Sequence, residues 1–401
     1  MAQKFFKEIG EGNKTSKTKR HIISYLIDNG NATITDLSKE LNMSIPTTTK
    51  FVNEMCASGY LDEYGKLETG EGRRPNLYGL NAESGYFIGV DVKKFSISIG
   101  LMNFKGDLVE HDENIDFKSE NTSEALDFIC QQITSFIDKT DVDSSNILNA
   151  NINLSGRVNP ETGYSYSFFN FSEEPLTKIL SDKLGLPVSI ENDSRAMAYG
   201  EFAKGCVKGE KNVLFINASW GLGMGIIIDG KPYKGKSGFS GEIGHIHLYN
   251  NEILCHCGKK GCLETEVSGM AFHRIVTERM KNGESTILSK INKNCEKLTL
   301  ADLIKATNQE DMLCIDVIES IGQKLGDALA GIINIFNPEL LIIGGPLALT
   351  GDYLLQPLKT SLRKYSLNLV NRDTAITLSK LKDKTGLVGA CLLARNNMLE
   401  L

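Results

Sequence analysis

His245 and the run Cys255-His-Cys257-Gly-Lys-Lys-Gly-Cys262, which begins ten residues later, gather three thiols and an imidazole on a short stretch of chain. Three thiolates and one nitrogen form the tetrahedral set that structural zinc prefers, closed to water and therefore not catalytic. The glycines between the cysteines let the loop fold tightly. His247 and His256 are rival donors, but His256 is flanked by two proposed ligands, so its side chain is expected to point away. The other six cysteines, Cys56, Cys130, Cys206, Cys295, Cys314 and Cys391, stand singly and read as reduced bystanders in a chain of this size and compartment.

A second group lies near the amino terminus. Ser44, Pro46, Thr47, Lys50 and Asn53 are short polar or basic residues at helical spacing, suited to base edges and phosphates in a DNA major groove. Arg73 and Arg74, beside Pro75 at a turn tip, suit phosphates or a minor groove. The basic cluster Lys14, Lys17, Lys19 and Arg20 adds to the same reading.

Both groups need a scaffold. Residues 17–29 read as a helix with Ile22, Ile23, Leu26 and Ile27 inward, ending at Asn29-Gly30, and a second follows at about 35–42. Ser44 is a good N-cap and Pro46 sits in the first turn of a third helix running to about Ser58. Its expected buried stripe is Ile45, Val52 and Met55. From Gly59 to Tyr78 two short strands flank Gly70-Glu-Gly-Arg-Arg-Pro75, the wing of a winged helix-turn-helix.

Beyond residue 80 apolar runs such as Tyr86–Asp91, Val213–Asn217 and Leu340–Gly345 alternate with amphipathic, helix-length segments, so the body is α/β. The clusters Gly221-Leu-Gly-Met-Gly225 and Gly344-Gly-Pro346 mark places where backbone approaches a ligand closely. The expected division is 1–80 for the winged helix and 81–401 for the body.

With 401 residues, 41% of them apolar and 23% charged, the chain is neither a disulfide-stapled mini-protein nor disordered. No apolar run reaches membrane-spanning length and the start lacks a signal-peptide core, so the expected location is the cytoplasm. The net charge of −6 counts against nucleic acid only as an average: residues 1–80 carry 11 Lys+Arg against 10 Asp+Glu, and the remainder carries the acidity.

Gly241-Glu-Ile-Gly-His245, the run from Cys255 to Glu264 and Glu191-Asn-Asp193 together resemble the ROK family of repressors and sugar kinases, over essentially the whole chain. The winged helix with Gly72-Arg-Arg-Pro75 is similar to the family's N-acetylglucosamine and xylose repressors. The resemblance implies a two-lobed actin/hexokinase-like (ribonuclease H-like) body, with lobes at about 81–195 plus the C-terminal helix and about 196–380. It also implies a sugar site of Gly156, Asn192, Asp193, Glu242, His245 and Glu264. Chemistry agrees, since carboxylates and amides paired across a cleft satisfy the vicinal hydroxyls of a pyranose. His245 would serve both zinc and sugar. Asp193, taken alone, also fits the N-cap of the helix that follows.

Kinases of the family carry Asp-x-Gly-x-Thr after the first strand, and an Asp at the position of Asp193 as general base. Here Asp91-Val-Lys-Lys-Phe95 replaces the glycine and threonine, obstructing the approach of backbone N–H groups to phosphate. Asp193 is then a vestigial base. The expected protein is no enzyme but a sugar-responsive repressor. Its partners are operator DNA and a sugar or sugar phosphate, with no membrane, and it works as a homodimer or homotetramer. An ATP-dependent hexose or aminosugar kinase is the alternative.

Overall fold

The structure, a computed structural model, describes residues 13–67, 74–292 and 294–399. It divides into two compact units: residues 1–153, 168–190 and 390–401 form the first, and 154–167 with 191–389 the second.

The first unit opens with helix α1 (Lys14–Asn29), strand β1 (Ala32–Thr33), α2 (Ile34–Glu40) and α3 (Ile45–Ala57), followed by β2 (Leu61–Lys66) and β3 (Asn76–Leu80). Each helix start is chemically marked. Asn13 caps α1, Thr33 and Asp36 form a reciprocal capping box on α2, and Ser44 caps α3, so the orphan N–H groups of each first turn find acceptors. The three strands pair in the order β1-β3-β2, giving the expected winged helix-turn-helix. The wing tip, including Gly72 and Arg73, lies outside the described residues; Arg74 is exposed.

Two expectations for this head need correction. Ile45 is 55% exposed, and Thr48 takes its place in the buried stripe with Val52 and Met55. Ile45 is the first helical residue and extends past the core, while Thr48 lies four and seven residues from the other two and hides its hydroxyl by donating to the Ser44 carbonyl. Lys19 is not part of an open basic arm: it is buried, with its ammonium 3.9 Å from Glu54.

The chain continues through β4 (Tyr86–Val92), β5 (Ser96–Asn103), β6 (Leu108–Asp116) and β7 (Ile147–Leu154). With Val188–Asn192 they build a five-stranded sheet in which β4 runs parallel to β7 and antiparallel to β5. The second unit repeats this plan. Val213–Ala218 is parallel to Leu340–Gly344, which is parallel to Ala375–Leu378, while Leu222–Ile228 returns antiparallel.

In the second unit Leu214, Ile216, Met224 and Ile226 pack with Leu325, Leu329 and Ile333 of the helix Met312–Phe336. The helix Asp193–Lys204 lies against the same sheet at Gly225, where a Cβ would come within 2.3 Å of the Ala198 methyl. A Cβ on Gly221 would meet the Glu264 carboxylate at 2.6 Å. At Gly221 and Gly225 of the first glycine cluster the missing Cβ therefore makes room for protein groups at close range. Among the described residues no helix is long and apolar enough to cross a membrane.

Candidate functional site

The four residues singled out for metal come together: one ligand atom from each of His245, Cys255, Cys257 and Cys262 lies within 4.8 Å of the others. Backbone bonds shape the loop, with the Cys255 N–H donating to the Lys259 carbonyl and the Gly258 N–H to Cys255. Cys257 and Cys262 sulfurs are 3.6 Å apart, and Cys255 Sγ is 3.6 Å from His245 Nδ1. A tetrahedral zinc ion with its usual bond lengths separates sulfur from sulfur by about 3.8 Å and sulfur from nitrogen by about 3.6 Å. Those two donor pairs already stand at the spacing such an ion requires, and with all four donors within 4.8 Å of one another the cluster could bind a metal.

His245 presents its two nitrogens to different neighbours. Nδ1 faces the sulfurs, while Nε2 lies 3.6 Å from Glu242 Oε2. Burial pushes its pKa down, favouring the neutral imidazole that a metal needs.

His256 does not point away. Its Nδ1 lies 2.8 Å from Glu264 Oε1 and its ring packs edge-on to that of His245 at 5.0 Å between centroids. The physical reason is Glu264, nearly inaccessible to solvent at 4% side-chain exposure, which needs donors. The Leu222 N–H supplies one at 3.0 Å, His256 a second, and the Cys255 thiol a third at 3.5 Å. Burial alone would raise the Glu264 carboxyl, but the hydrogen bond and charge of His256, joined by the Leu222 N–H, outweigh it and hold the group below the usual range.

On the loop before Asp193 the polar groups are held as tightly. Asn192, not Asp193, caps the helix: its Oδ1 accepts from the Arg195 N–H at 3.1 Å, and its Nδ2 donates to the Gly156 carbonyl at 2.9 Å. Asp193 is the first helical residue and accepts from the Ser155 hydroxyl at 2.6 Å and the Ser194 N–H at 2.7 Å. Gly156, Asn192 and Asp193 are therefore drawn into one cluster, with Glu242, His245 and Glu264 in a second. Arg157, beside Gly156, is exposed. Burial raises the Glu242 carboxyl, and the charge of Arg157 leads the influences that pull it back.

One buried ion pair beside the site escaped the sequence reading. Arg195, 3% exposed, donates through Nε and Nη2 to Glu191 Oε1 at 2.8 and 2.6 Å, and also reaches the Val158 and Gly238 carbonyls. It staples the segment after Gly156 and the loop before Glu242 to the helix start. The signal in the sequence was the four-residue spacing of Glu191 and Arg195.

In the first unit Asp91 is buried, and the Lys93 ammonium lies 3.8 Å from its carboxylate, with Asn153 Nδ2 at 3.5 Å. Burial raises the Asp91 carboxyl; Lys93 opposes that. On the head, Ser44, Pro46, Thr47, Lys50 and Asn53 are all exposed along α3.

Comparison with known proteins extends these observations. The family profile for the ROK family matches residues 87–397, and one for winged helix-turn-helix DNA-binding matches residues 15–62. The chain is 30% identical over 382 residues to the xylose repressor of Caldicellulosiruptor bescii, covering 94% of this chain and 95% of that protein. It is also 30% identical over 313 residues to a glucokinase of Halalkalibacterium halodurans, covering 77% and 95%. Among solved structures, a ROK family transcriptional regulator described as a homolog of the E. coli MLC protein superposes with a TM-score of 0.80 at 26% identity, over 99% of this chain and 97% of that one. With its head, its two similar mixed sheets and its cysteine-histidine loop, the chain belongs to the ROK family and is one of its helix-turn-helix transcriptional regulators.

Proposed function

We propose that this regulator is a sugar-responsive repressor, with residues 1–80 binding operator DNA and residues 81–401 binding the effector. The observation that carries the sensor half is the preorganisation of Asp193 and Asn192. Both are fixed by protein hydrogen bonds, Glu242 lies beside His245 at 3.6 Å, and Asp193 and Glu242 offer carboxylate acceptors to vicinal hydroxyls. Gly156, His245 and Glu264 complete the proposed pocket. Similarity to a xylose repressor makes D-xylose the first sugar to test. Arg157 is the group that would accommodate a sugar phosphate. Operator DNA is read by Ser44, Pro46, Thr47, Lys50 and Asn53, with Arg73 and Arg74 on the wing, in a homodimer or homotetramer in the cytoplasm.

Zinc held by His245, Cys255, Cys257 and Cys262 would close the loop and orient His245, a structural part. The ligand releases DNA only through its differential affinity for two states, and a hundredfold release needs about 2.7 kcal/mol.

Kinase activity is the second reading, favoured by the glucokinase similarity and the Asp193–Ser155 contact. The Lys93–Asp91 pair argues against it, because a lysine side chain stands where the kinases have a bare loop over phosphate. The test is fluorescence anisotropy on duplexes selected from a random pool, titrated with D-xylose, D-glucose and their phosphates. Sugar-dependent release supports the repressor. A coupled assay with Mg-ATP giving turnover of about 1 s⁻¹ or more overturns the non-enzyme reading.

A further inference from the structure

We infer that Ile45 is a base-reading residue that recognises the 5-methyl group of a thymine in the operator half-site, an inference that rests on the DNA-binding role of α3. Ile45 is the first residue of α3 and 55% exposed. A lone exposed apolar side chain is ordinary on a protein surface, so its placement has to carry the argument.

Side chains of a helix tilt toward its N-terminus. One at the first position therefore projects ahead of the helix, and in a helix-turn-helix the N-terminal residues of the recognition helix are those that meet base edges. The hydroxyls around this tip are held close to the helix by local hydrogen bonds, which leave Ser44 and Thr47 able to make further polar contacts. Ser44 and Thr47 hydroxyls pair at 2.8 Å, and the Thr49 hydroxyl donates to the Ile45 carbonyl at 2.7 Å. Thr48 is turned inward. What the tip offers forward is the sec-butyl group of Ile45 beside the exposed ring of Pro46, an apolar surface followed along the helix by Lys50 and Asn53. The apolar feature of the major groove is the thymine methyl.

The test uses the full chain. Duplexes are selected from a random pool by the wild type and by Ile45→Ala, a surface change that leaves the core of the head intact. The wild-type consensus should hold a thymine that the variant no longer selects. Replacing that thymine with uracil removes only the methyl, and should weaken wild-type binding about fourfold, the worth of one buried methyl group, while leaving Ile45→Ala binding unchanged. Equal losses in both proteins, or a consensus unaltered by the substitution, would overturn the inference and leave the regulator reading standing. A pool that yields no enriched sequence would overturn both.

Discussion

Arg195→Met is the most informative single change in the second unit. The guanidinium it removes makes two bonds to Glu191 Oε1 and spans to the Val158 and Gly238 carbonyls. Glu191 is 4% exposed and keeps the Asn192 N–H as a donor at 2.8 Å. Methionine fills much of the volume, so the cost is that of a buried carboxylate without its counter-charge, about 3–5 kcal/mol. Against a typical domain stability of about 5–15 kcal/mol that is a large fraction. The chain has one tryptophan, Trp220, and it lies in the second unit, so its fluorescence during urea unfolding reports that unit. With a slope of about 2 kcal/mol per M urea, the midpoint should fall by about 2 M. Adding Glu191→Gln removes the stranded charge and should recover at least half of the loss, because the two sites act as a unit. A midpoint shift below about 0.5 M, or a double variant no better than the single one, would refute the claim that the pair holds the segment after Gly156 and the loop before Glu242 in place.

Thr47→Ala combined with Lys50→Ala, both exposed on α3, should reduce binding to selected duplexes by at least tenfold at about 1.4 kcal/mol lost, while sugar-induced thermal shifts stay unchanged; loss of both would point to global damage. Cys257→Ser should lower metal content, measured by mass spectrometry, from one ion per chain toward none and weaken sugar binding, since His245 then loses the partner that orients it. Acid should destabilise the second unit through Asp311. Burial pushes that carboxyl up, but N–H groups of Ile287 and Cys314 and the Thr286 hydroxyl outweigh it, leaving the pKa below the ordinary 3.8. A lowered folded pKa means the contribution is full above 3.8 and is lost as pH falls through the folded value. Asp311→Asn, which preserves a cap, should flatten the pH dependence of Trp220-monitored unfolding below about pH 4.

Local chemistry was legible in the sequence where the partners were close in the chain. The ends of α1 and α3 follow from Gly30 and Ser44, and the four metal-site residues from their spacing. Ile45 was misread because periodicity ranks residues by hydropathy and does not know where the core stops; Thr48 wins the inward position by hiding its hydroxyl in its own helix. His256 was misplaced because its orientation is decided by Glu264, eight residues on, whose burial no local pattern announces. The pairing of Glu191 with Arg195 was missed for the same reason: no local pattern announces that a fold closes over two charged residues.

The head is not a bead on a tether. Tyr60, Leu61 and Leu80 of the wing region share one apolar core with Phe87, Phe104 and Leu148 of the first sheet and with Ala394 and Leu399 of the C-terminal helix. The seam is polar as well: the Asn81 N–H donates to the Tyr60 carbonyl, Phe104 N–H to Ala82, and the Lys105 ammonium lies over the Tyr64 ring at 4.2 Å. Asn149 Nδ2 then binds the Ala394 carbonyl, tying β7 to the C-terminal helix. Close-packed cores switch between discrete arrangements and do not stretch. A change that displaces β4 or β7 is therefore delivered to α3 as rigid-body movement, with no linker to absorb it. On the proposed repressor reading, release from DNA then needs no unfolding step in the head: a shift of the first unit as one body would take the recognition helices of an oligomer out of register with their half-sites.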